Sequence, residues 1–128
     1  MISFDDFKAE DGSPLYYQIL RHILRGIASG AIADGDALPS RRVLSATLGI
    51  NPNTVQRAYR ELEEHGLVSS RSGAKSYVVL DGAAMERVRR ELIESEARGL
   101  VVALKKTGVE KDEALALVER FWEEDEEA

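Results

Sequence analysis

Two helix starts follow each other closely in the middle of this chain, with one glycine between them. The first is Ser40, which follows a proline, and the second is the pair Asn51-Pro52. Ser and Asn cap helices by accepting a backbone N–H bond, and proline at the first helical position costs no hydrogen bond. Gly49 favours the left-handed conformation that ends a helix. The spacing predicts two short helices joined by a turn of about three residues, which is a helix-turn-helix.

Apolar residues at three- and four-residue spacing predict three helices around this turn. A first helix should begin with Ser13 as the cap and Pro14 after it, and should end near Gly30. Its apolar positions are Leu15, Ile19, Ile23, Leu24 and Ile27. In the second and third helices the predicted inward positions are Val43, Leu44, Leu48, Val55, Ala58, Tyr59 and Leu62. Gly66 should end the third helix.

The pattern after Gly66 predicts a β-hairpin. Two β-rich runs, residues 67–71 and 76–80, flank a polar turn that contains Gly73. A hairpin that directly follows a helix-turn-helix is a wing. Arg71 and Lys75 at its tip would reach the DNA backbone or the minor groove.

Helical composition returns from residue 82 onwards. Gly99 is expected to kink this helix or to permit close packing, and a break at Thr107-Gly108 precedes a last helix, Lys111–Glu124. Helices this short cannot enclose a drug-sized pocket of roughly 300 Å³, and their apolar faces need a cover. The simplest cover is the same segment of a second copy, and packing on the chain's own winged domain is the alternative. The predicted dimerisation residues are Met85, Val88, Leu92, Leu100, Leu104, Leu115, Val118, Phe121 and Trp122.

The predicted fold class is therefore mostly α with a small β-hairpin. A winged helix-turn-helix domain is expected over residues 10–81, a helical dimerisation segment over residues 82–124, and an acidic tail over residues 125–128. The chain length of 128 residues suits one core with a short appendage.

The net charge of the chain is -6, but the charges are distributed unevenly between the two predicted parts. Residues 1–81 carry 9 basic and 10 acidic side chains, whereas residues 82–128 carry 8 basic and 13 acidic ones. Within residues 37–60 there are four arginines and no acid. Such a local concentration suits a surface that faces phosphates, although a solvated basic face is the plain alternative.

Several functional classes have no support in the sequence. The chain has no cysteine, its first eight residues do not form a signal peptide, and no run approaches the roughly 20 apolar residues of a membrane span, so a cytoplasmic protein is expected. His22 and His65 stand far apart without partners at metal-ligand spacing. Because no phosphate-binding loop or nucleophile elbow is present either, we expect no enzyme, metal or cofactor.

Polar side chains on the first turns of the third helix are the predicted readers of DNA bases. Asn and Gln can bond bidentately to adenine, Thr can contact the thymine methyl group, and Arg can bind guanine. The predicted DNA-binding residues, with phosphate contacts from the second helix and the wing, are Ser40, Arg41, Arg42, Asn53, Thr54, Gln56, Arg57, Arg60, Arg71, Gly73 and Lys75. The alternatives are ordinary surface roles for Asn53 and its neighbours and intradomain ion pairs for Arg41 and Arg42. Tyr16, Tyr17 and Tyr59 are expected in the core or an interface.

Residues 14–80 resemble the N-terminal domain of the GntR family of bacterial regulators. The residues that carry the resemblance are Leu38-Pro39-Ser40, Arg42, Leu44, Leu48-Gly49-Ile50, Thr54-Val55, Ala58-Tyr59-Arg60-Glu61-Leu62 and Gly66-Leu67-Val68. The start of the third helix, Asn51-Pro52-Asn53-Thr54-Val55, resembles the YtrA branch of this family. That resemblance implies a repressor whose copies pair through a short helical segment.

Two places depart from the family pattern. The wing usually reads Gly-x-Gly-Thr-Phe-Val, and in this chain Lys75 replaces the second glycine. Pro52 stands where the family usually has an arginine, so base reading would fall to Asn53, Thr54, Gln56 and Arg57.

The residues and the resemblance together predict a homodimer on a pseudo-palindromic DNA operator. Two recognition helices would enter successive major grooves, with half-sites about one helical turn (~34–36 Å) apart, and occupancy would block transcription. A small-molecule effector has room in a dimer crevice, but no residue identifies one. The alternative function is a winged-helix protein-interaction module without specific DNA binding.

Overall fold

Within residues 1–10, 12–70 and 75–124, which the computed structural model describes, the chain forms five helices and three short strands. In chain order they are α1 (Leu15–Ser29), β1 (Ala37–Leu38), α2 (Arg41–Leu48), α3 (Pro52–Glu64), β2 (Val68–Ser70), β3 (Ser76–Val78), α4 (Gly82–Lys105) and α5 (Lys111–Glu124). The strands form one antiparallel sheet in the order β1-β3-β2. The prediction of a mostly helical fold with a winged helix-turn-helix is confirmed.

The chain divides into two compact units, residues 1–92 and residues 93–128. The first unit holds α1 to α3, the sheet and the first turns of α4, where Val88 is buried. The second unit holds the rest of α4 and α5, and no residue of α5 is buried. The boundary between the units falls inside α4. A dimerisation role for residues 82–124 stays a prediction.

The two predicted helix starts are present with the expected caps. The Ser40 hydroxyl oxygen accepts a bond of 3.1 Å from the backbone N–H of Val43, and α2 ends at Gly49 with φ 68°. The Asn51 side-chain oxygen accepts from the N–H of Asn53 at 2.8 Å, and Pro52 is the first residue of α3. These bonds satisfy N–H groups that a helix start leaves without an intrahelical partner.

Ser45 fixes the turn between α2 and α3. Its hydroxyl donates to the carbonyl of Ile50 at 2.6 Å, and its own carbonyl accepts from the N–H of Ile50 at 3.0 Å. Ser45 is a buried polar residue, so both bonds are shielded from water. A buried hydroxyl that forms a hydrogen bond lowers the stability of the fold little, whereas a buried hydroxyl without a hydrogen bond destabilises it. The angle between the two helices is therefore held by a hydrogen-bonded side chain as well as by packing.

The core of the first unit surrounds α3. Both α1 and α2 pack against this helix, and its inward face is formed by Val55, Ala58, Tyr59 and Leu62, each 0 or 1 % exposed. On α1 the fully buried residues are Ile19, Ile23 and Ile27. The apolar spacing predicted this face of α3 and the inward stripe of α1, because each turn of a helix returns to the same side after 3.6 residues.

Two local predictions were wrong, and a third was wrong in part. Ser13 does not cap α1, because the cap position is Pro14 and the side chain of Gln18 bonds instead to Glu10 and to the Ser13 carbonyl. Val43 is half exposed, since α2 turns only one narrow side towards α3. Gly99 does not serve close packing, because a Cβ added to it would meet no atom within 4 Å among the described residues, and a kink of the continuous helix α4 at this position stays a prediction.

An N-terminal segment completes the core, which the sequence analysis did not predict. Ile2 and Phe4 are buried, and the Ile2 N–H donates to the Ala37 carbonyl at 2.9 Å. Phe4 stacks on His22 with ring centroids 4.5 Å apart. Ile2 and Phe4 alternate with polar residues, which is the pattern of an extended segment with one buried face. The alternating segment Ile2 to Phe4 is too short to be recognised as a pattern beside the acidic residues that follow it.

No helix in the described part of the chain is long and apolar enough to cross a membrane.

We expect Phe4→Ala to lower the free energy of unfolding by about 3 kcal/mol, because it leaves a cavity where a buried ring packs on α1. Urea denaturation followed by circular dichroism measures the change. Asp5→Ala is the control at an exposed neighbour and should stay within about 0.5 kcal/mol of the unaltered protein. Equal stability of both variants would show that the N-terminal segment does not belong to the core.

Candidate nucleic-acid interface

The outward side of α3 presents the polar residues that the sequence analysis singled out. Asn53, Arg57 and Arg60 are exposed, while Thr54 and Gln56 are partly buried. Residues 53, 56, 57 and 60 recur at three- and four-residue spacing and therefore share one face of the helix. The opposite face is fixed in the core, so this stripe of side chains is held outward by the packing of α3.

The start of α2 combines a helix N-terminus with positive charge. The Ser40 hydroxyl oxygen accepts from Val43, which leaves the hydroxyl proton free to donate to another group. Arg42 is exposed, and no acidic residue lies in the first turn of α2. A helix N-terminus carries a partial positive charge and binds anions such as phosphate. Ser40 and Arg42 thus form one anion-facing corner.

Arg41 is engaged inside the fold. Its guanidinium forms an ion pair of 3.1 Å with Glu63 and lies 5.4 Å from the centre of the Tyr59 ring. The side chains of Arg41 and Glu63 are 28 % and 36 % exposed. Glu63 also accepts a bond of 2.7 Å from the hydroxyl of Ser70 in β2. The structure shows the ion pair that the sequence analysis had left open for Arg41, and a contact with DNA stays a prediction for this residue.

Tyr59 ties α3 to the residue in front of the α2 cap. Its hydroxyl donates to the carbonyl of Pro39 at 2.7 Å, and its ring is 1 % exposed. Burial raises the pKa of the Tyr59 hydroxyl well above its usual range, and the positive charge of Arg41 opposes this shift only in part. The hydroxyl therefore stays protonated and keeps its role as a donor, so the start of α2 cannot move independently of α3.

Arg57 contacts α1 through an aromatic ring. Its guanidinium carbon lies 3.7 Å from the centre of the Tyr16 ring. Arg57 is exposed, and among the described residues it has no carboxylate partner. The interaction is a cation–π contact, and this short distance suits a guanidinium that stacks its flat face on the ring and leaves its N–H edge available.

The wing is described at its two strands. Val68 pairs with Val78, Ser69 with Tyr77 and Ser70 with Ser76. Lys75 is exposed and directly precedes β3. The predicted contacts of Arg71 and Gly73 lie outside the described residues.

The predicted dimerisation residues fall into two groups. Val88 is 6 % exposed and belongs to the core of the first unit, and Met85 and Leu92 are partly buried there. In the second unit Leu104 and Val118 are partly buried. The large apolar side chains that remain exposed there are Ile93, Leu100, Val101, Val102, Leu115, Phe121 and Trp122, at 47 to 74 %.

Both histidines make contacts within the fold. His22 packs between Phe4 and Phe7 and bonds through Nε2 to the Ser3 carbonyl at 2.9 Å. His65 bonds through Nδ1 to the carbonyl of Glu61. Among the residues that the structure describes, no group of three His, Asp or Glu side chains is placed to hold a metal ion.

Sequence reasoning missed the residues that support this surface. Glu63, Ser70 and Ser45 act through tertiary contacts, and Tyr16 was expected in the core or an interface without a partner being named. A basic residue at 41 and an acidic residue near the end of α3 were visible in the sequence, but their pairing depends on the crossing of α2 and α3.

Comparison with known proteins gives one consistent family. Residues 15–78 match the family described as bacterial regulatory proteins, gntR family. The HTH-type transcriptional regulator YhcF of Bacillus subtilis is 30% identical over 118 residues, which are 92% of this chain and 98% of that protein. The HTH-type transcriptional repressor YtrA of the same organism is 30% identical over 99 residues, 77% of this chain and 76% of that protein.

Solved structures agree with these relatives. A GntR family transcriptional regulator from Listeria monocytogenes has a TM-score of 0.72 at 31% identity, covering 88% of this chain and 98% of that one. YtrA from Sulfolobus acidocaldarius, a GntR-family transcription factor, has a TM-score of 0.51 at 28% identity, covering 93% and 95%. The similarity thus extends beyond the winged unit into the C-terminal helices.

We expect Tyr59→Phe to lower the free energy of unfolding by about 1–2 kcal/mol, because the buried Pro39 carbonyl loses its donor. Tyr17→Phe is the matched control on α1, where no hydrogen bond of the hydroxyl is present in the described structure. Thermal and urea denaturation provide the measurement. If the two variants were equally stable, the bond from Tyr59 to Pro39 would not hold the start of α2.

The raised pKa of Tyr59 also predicts a pH dependence. An unfolded tyrosine ionises near a pKa of about 10, whereas folded Tyr59 keeps its proton. Its contribution is therefore fully present below about pH 10 and is lost as pH rises above that value. Between about pH 9 and pH 11 the unaltered protein should lose more stability than Tyr59→Phe. Parallel curves for the two proteins would contradict this assignment.

Proposed function

The chain belongs to the GntR family of bacterial regulatory proteins and is a DNA-binding transcription regulator, and we propose that it acts as a homodimeric repressor on a pseudo-palindromic operator. Its relatives are transcription regulators and not enzymes. The observation that carries the proposal is the outward stripe of α3, which stands on a fixed helix and follows a capped, anion-facing α2. The cytoplasm, where a bacterial chromosome lies, is the proposed place of action.

Base reading is assigned to the first two turns of α3. Asn53 and Gln56 have the amide groups that bond bidentately to adenine in the major groove, and the Thr54 methyl group suits a thymine methyl. Arg60 lies one turn further along the same face and has the fork of donors that binds guanine or phosphate. The N-terminal residues of a recognition helix are the ones that contact base edges. The side chains of this stripe are therefore assigned to the part of the interface that distinguishes one DNA sequence from another.

Backbone contacts are assigned to the residues on either side of α3. Ser40 and Arg42 at the start of α2 offer a hydroxyl donor, a guanidinium and a helix N-terminus to one phosphate. Lys75 would add a wing contact, together with Arg71 and Gly73. Such contacts fix register and orientation without reading sequence.

Dimer formation is assigned to the second unit. Leu100, Leu115, Phe121 and Trp122 are 48, 56, 48 and 74 % exposed, and α5 contributes no buried residue. Exposed apolar surface of this kind is unfavourable in water and marks an interaction site. A second copy covers it with the same residues in a two-fold arrangement. Val88, which is buried in the first unit, takes no part in this surface.

DNA binding is tested with an operator selected from random DNA, by fluorescence anisotropy at two salt concentrations. The intact chain should bind the operator at least ~10³-fold more tightly than a shuffled duplex. Gln56→Ala should lower the affinity for the operator about 10- to 100-fold and the affinity for the shuffled duplex only slightly, because it removes a base contact.

Arg42→Ala should weaken binding to both duplexes by the same factor and make binding less dependent on salt, because it removes a phosphate contact. Arg90→Ala, which removes an exposed arginine from α4, is the control with the same change of charge. Equal, steeply salt-dependent binding of the intact chain to both duplexes would contradict specific recognition, and absence of binding would favour the protein-interaction module.

The dimer is tested by sedimentation at micromolar concentration. The intact chain should sediment at twice the chain mass, while Leu115→Glu and Phe121→Glu should shift it to the monomer, because a buried unpaired charge opposes association. Val79→Glu places the same charge on an exposed apolar residue of the first unit and serves as the control. A monomeric intact chain would refute the dimer.

A further inference from the structure

Tyr16 occupies an unusual position for a core aromatic residue. It lies in the first turn of α1, is partly buried, and packs against the core of the first unit. One face of its ring carries the guanidinium of Arg57 at 3.7 Å. Since α1 packs on α3, the ring is a fixed support that reaches the side of the recognition helix. Packing alone does not require a charged side chain over this ring.

Arg57 is held by this ring without being neutralised. Among the described residues no carboxylate pairs with it, whereas Arg41 pairs with Glu63. Stacking occupies the guanidinium face, while the donors lie in the guanidinium plane and point away from the ring. The charge and the N–H edge of Arg57 are thus free for an anion, and the side chain has already lost much of its rotational freedom.

The side of α3 on which Arg57 lies indicates which part of DNA it meets. Arg57 is drawn towards α1, at the margin of the stripe that contains Asn53 and Arg60. A helix in the major groove has base edges in front of its N-terminal residues and the sugar-phosphate backbone at its margins. The N–H groups along the edge of an arginine at such a margin can bind the oxygens of a phosphate.

We propose that Tyr16 is a positioning residue for DNA binding, which holds Arg57 so that its N–H edge meets a backbone phosphate beside the recognition helix. This inference rests on the proposed function of α3. It adds α1 to the interface through a side chain that itself makes no contact with DNA. Because the phosphate contact is independent of base sequence, Tyr16 strengthens binding to any duplex.

The size of the effect follows from the strength of an exposed cation–π contact. Because the contact already exists in the free protein, its loss lowers the affinity at one site by up to about two- to fivefold. A dimer that uses two such contacts multiplies them, which gives about a 4- to 25-fold change for the whole complex.

The test is fluorescence anisotropy with the full chain, on the selected operator and on its shuffled duplex, at two salt concentrations. Tyr16→Leu keeps an apolar side chain and removes the ring face, whereas Tyr16→Phe keeps the ring. Tyr17→Leu is the matched control, because Tyr17 lies next to Tyr16 on α1 and its ring carries Arg21 instead of a residue of α3. Circular dichroism and thermal denaturation establish that each variant folds.

We expect Tyr16→Leu to bind both duplexes about 4- to 25-fold more weakly, with Tyr16→Phe and Tyr17→Leu close to the unaltered chain. In the double-mutant cycle, Tyr16→Leu should have little further effect once Arg57 is replaced by lysine. Unchanged affinity of Tyr16→Leu, or losses of Tyr16→Leu and Arg57→Lys that simply add, would overturn the proposal. A loss confined to the operator would overturn the phosphate assignment.

A second measurement does not depend on the stability of the Tyr16 variants. Arg57→Lys changes an exposed position, keeps the charge and removes the planar face, so it should weaken binding to both duplexes. Equal binding by Arg57→Lys and the unaltered chain would refute a role for the stacked edge. Failure of the unaltered chain to bind any DNA would instead refute the proposed function itself, and the two failures are therefore distinct.

Discussion

The arrangement of the first unit depends on Tyr59. Its ring fills the centre of the core at 1 % exposure, and its hydroxyl donates to the Pro39 carbonyl just before the cap of α2. Arg41 lies over the same ring and reaches Glu63 near the end of α3, and Glu63 in turn accepts from Ser70 in β2. Tyr59 and the Arg41–Glu63 ion pair beside it thus link α3, the start of α2 and the base of the wing.

This link makes the proposed DNA-facing surface a property of the free protein. The inward face of α3 and the Ser45 bonds at the turn leave the helix little freedom to rotate, so Asn53, Gln56 and Arg60 are presented before any DNA arrives. Arg57 is ordered in the same way by the ring of Tyr16. Ordering side chains in advance lowers the entropy cost of binding, and a lower cost gives a higher affinity.

The helical part of the fold could be predicted because its signals are local. The caps Ser40 and Asn51, the glycine at 49 and the apolar face of α3 each act within one or two turns of chain. Strand β1, the buried Ile2 and Phe4, and the pairing of Arg41 with Glu63 could not be predicted, because they join residues distant in sequence whose approach is decided by helix crossing. For the same reason the α3 stripe was foreseen as a set of candidates, whereas the support from Tyr16 was not. Exposure of the second unit's apolar side chains follows from the fold, whereas their cover by a second copy is part of the proposed function.

The N-terminal part of α2 and the outward face of α3 together form the proposed DNA-binding surface. Nuclear magnetic resonance of the ¹⁵N-labelled chain, titrated with its selected operator, identifies the residues at which DNA binds. The largest shifts of the backbone amides are expected at residues 40–42 and 53–60, with small shifts along α1. Shifts concentrated in α5, with residues 53–60 unchanged, would contradict a DNA contact through α3.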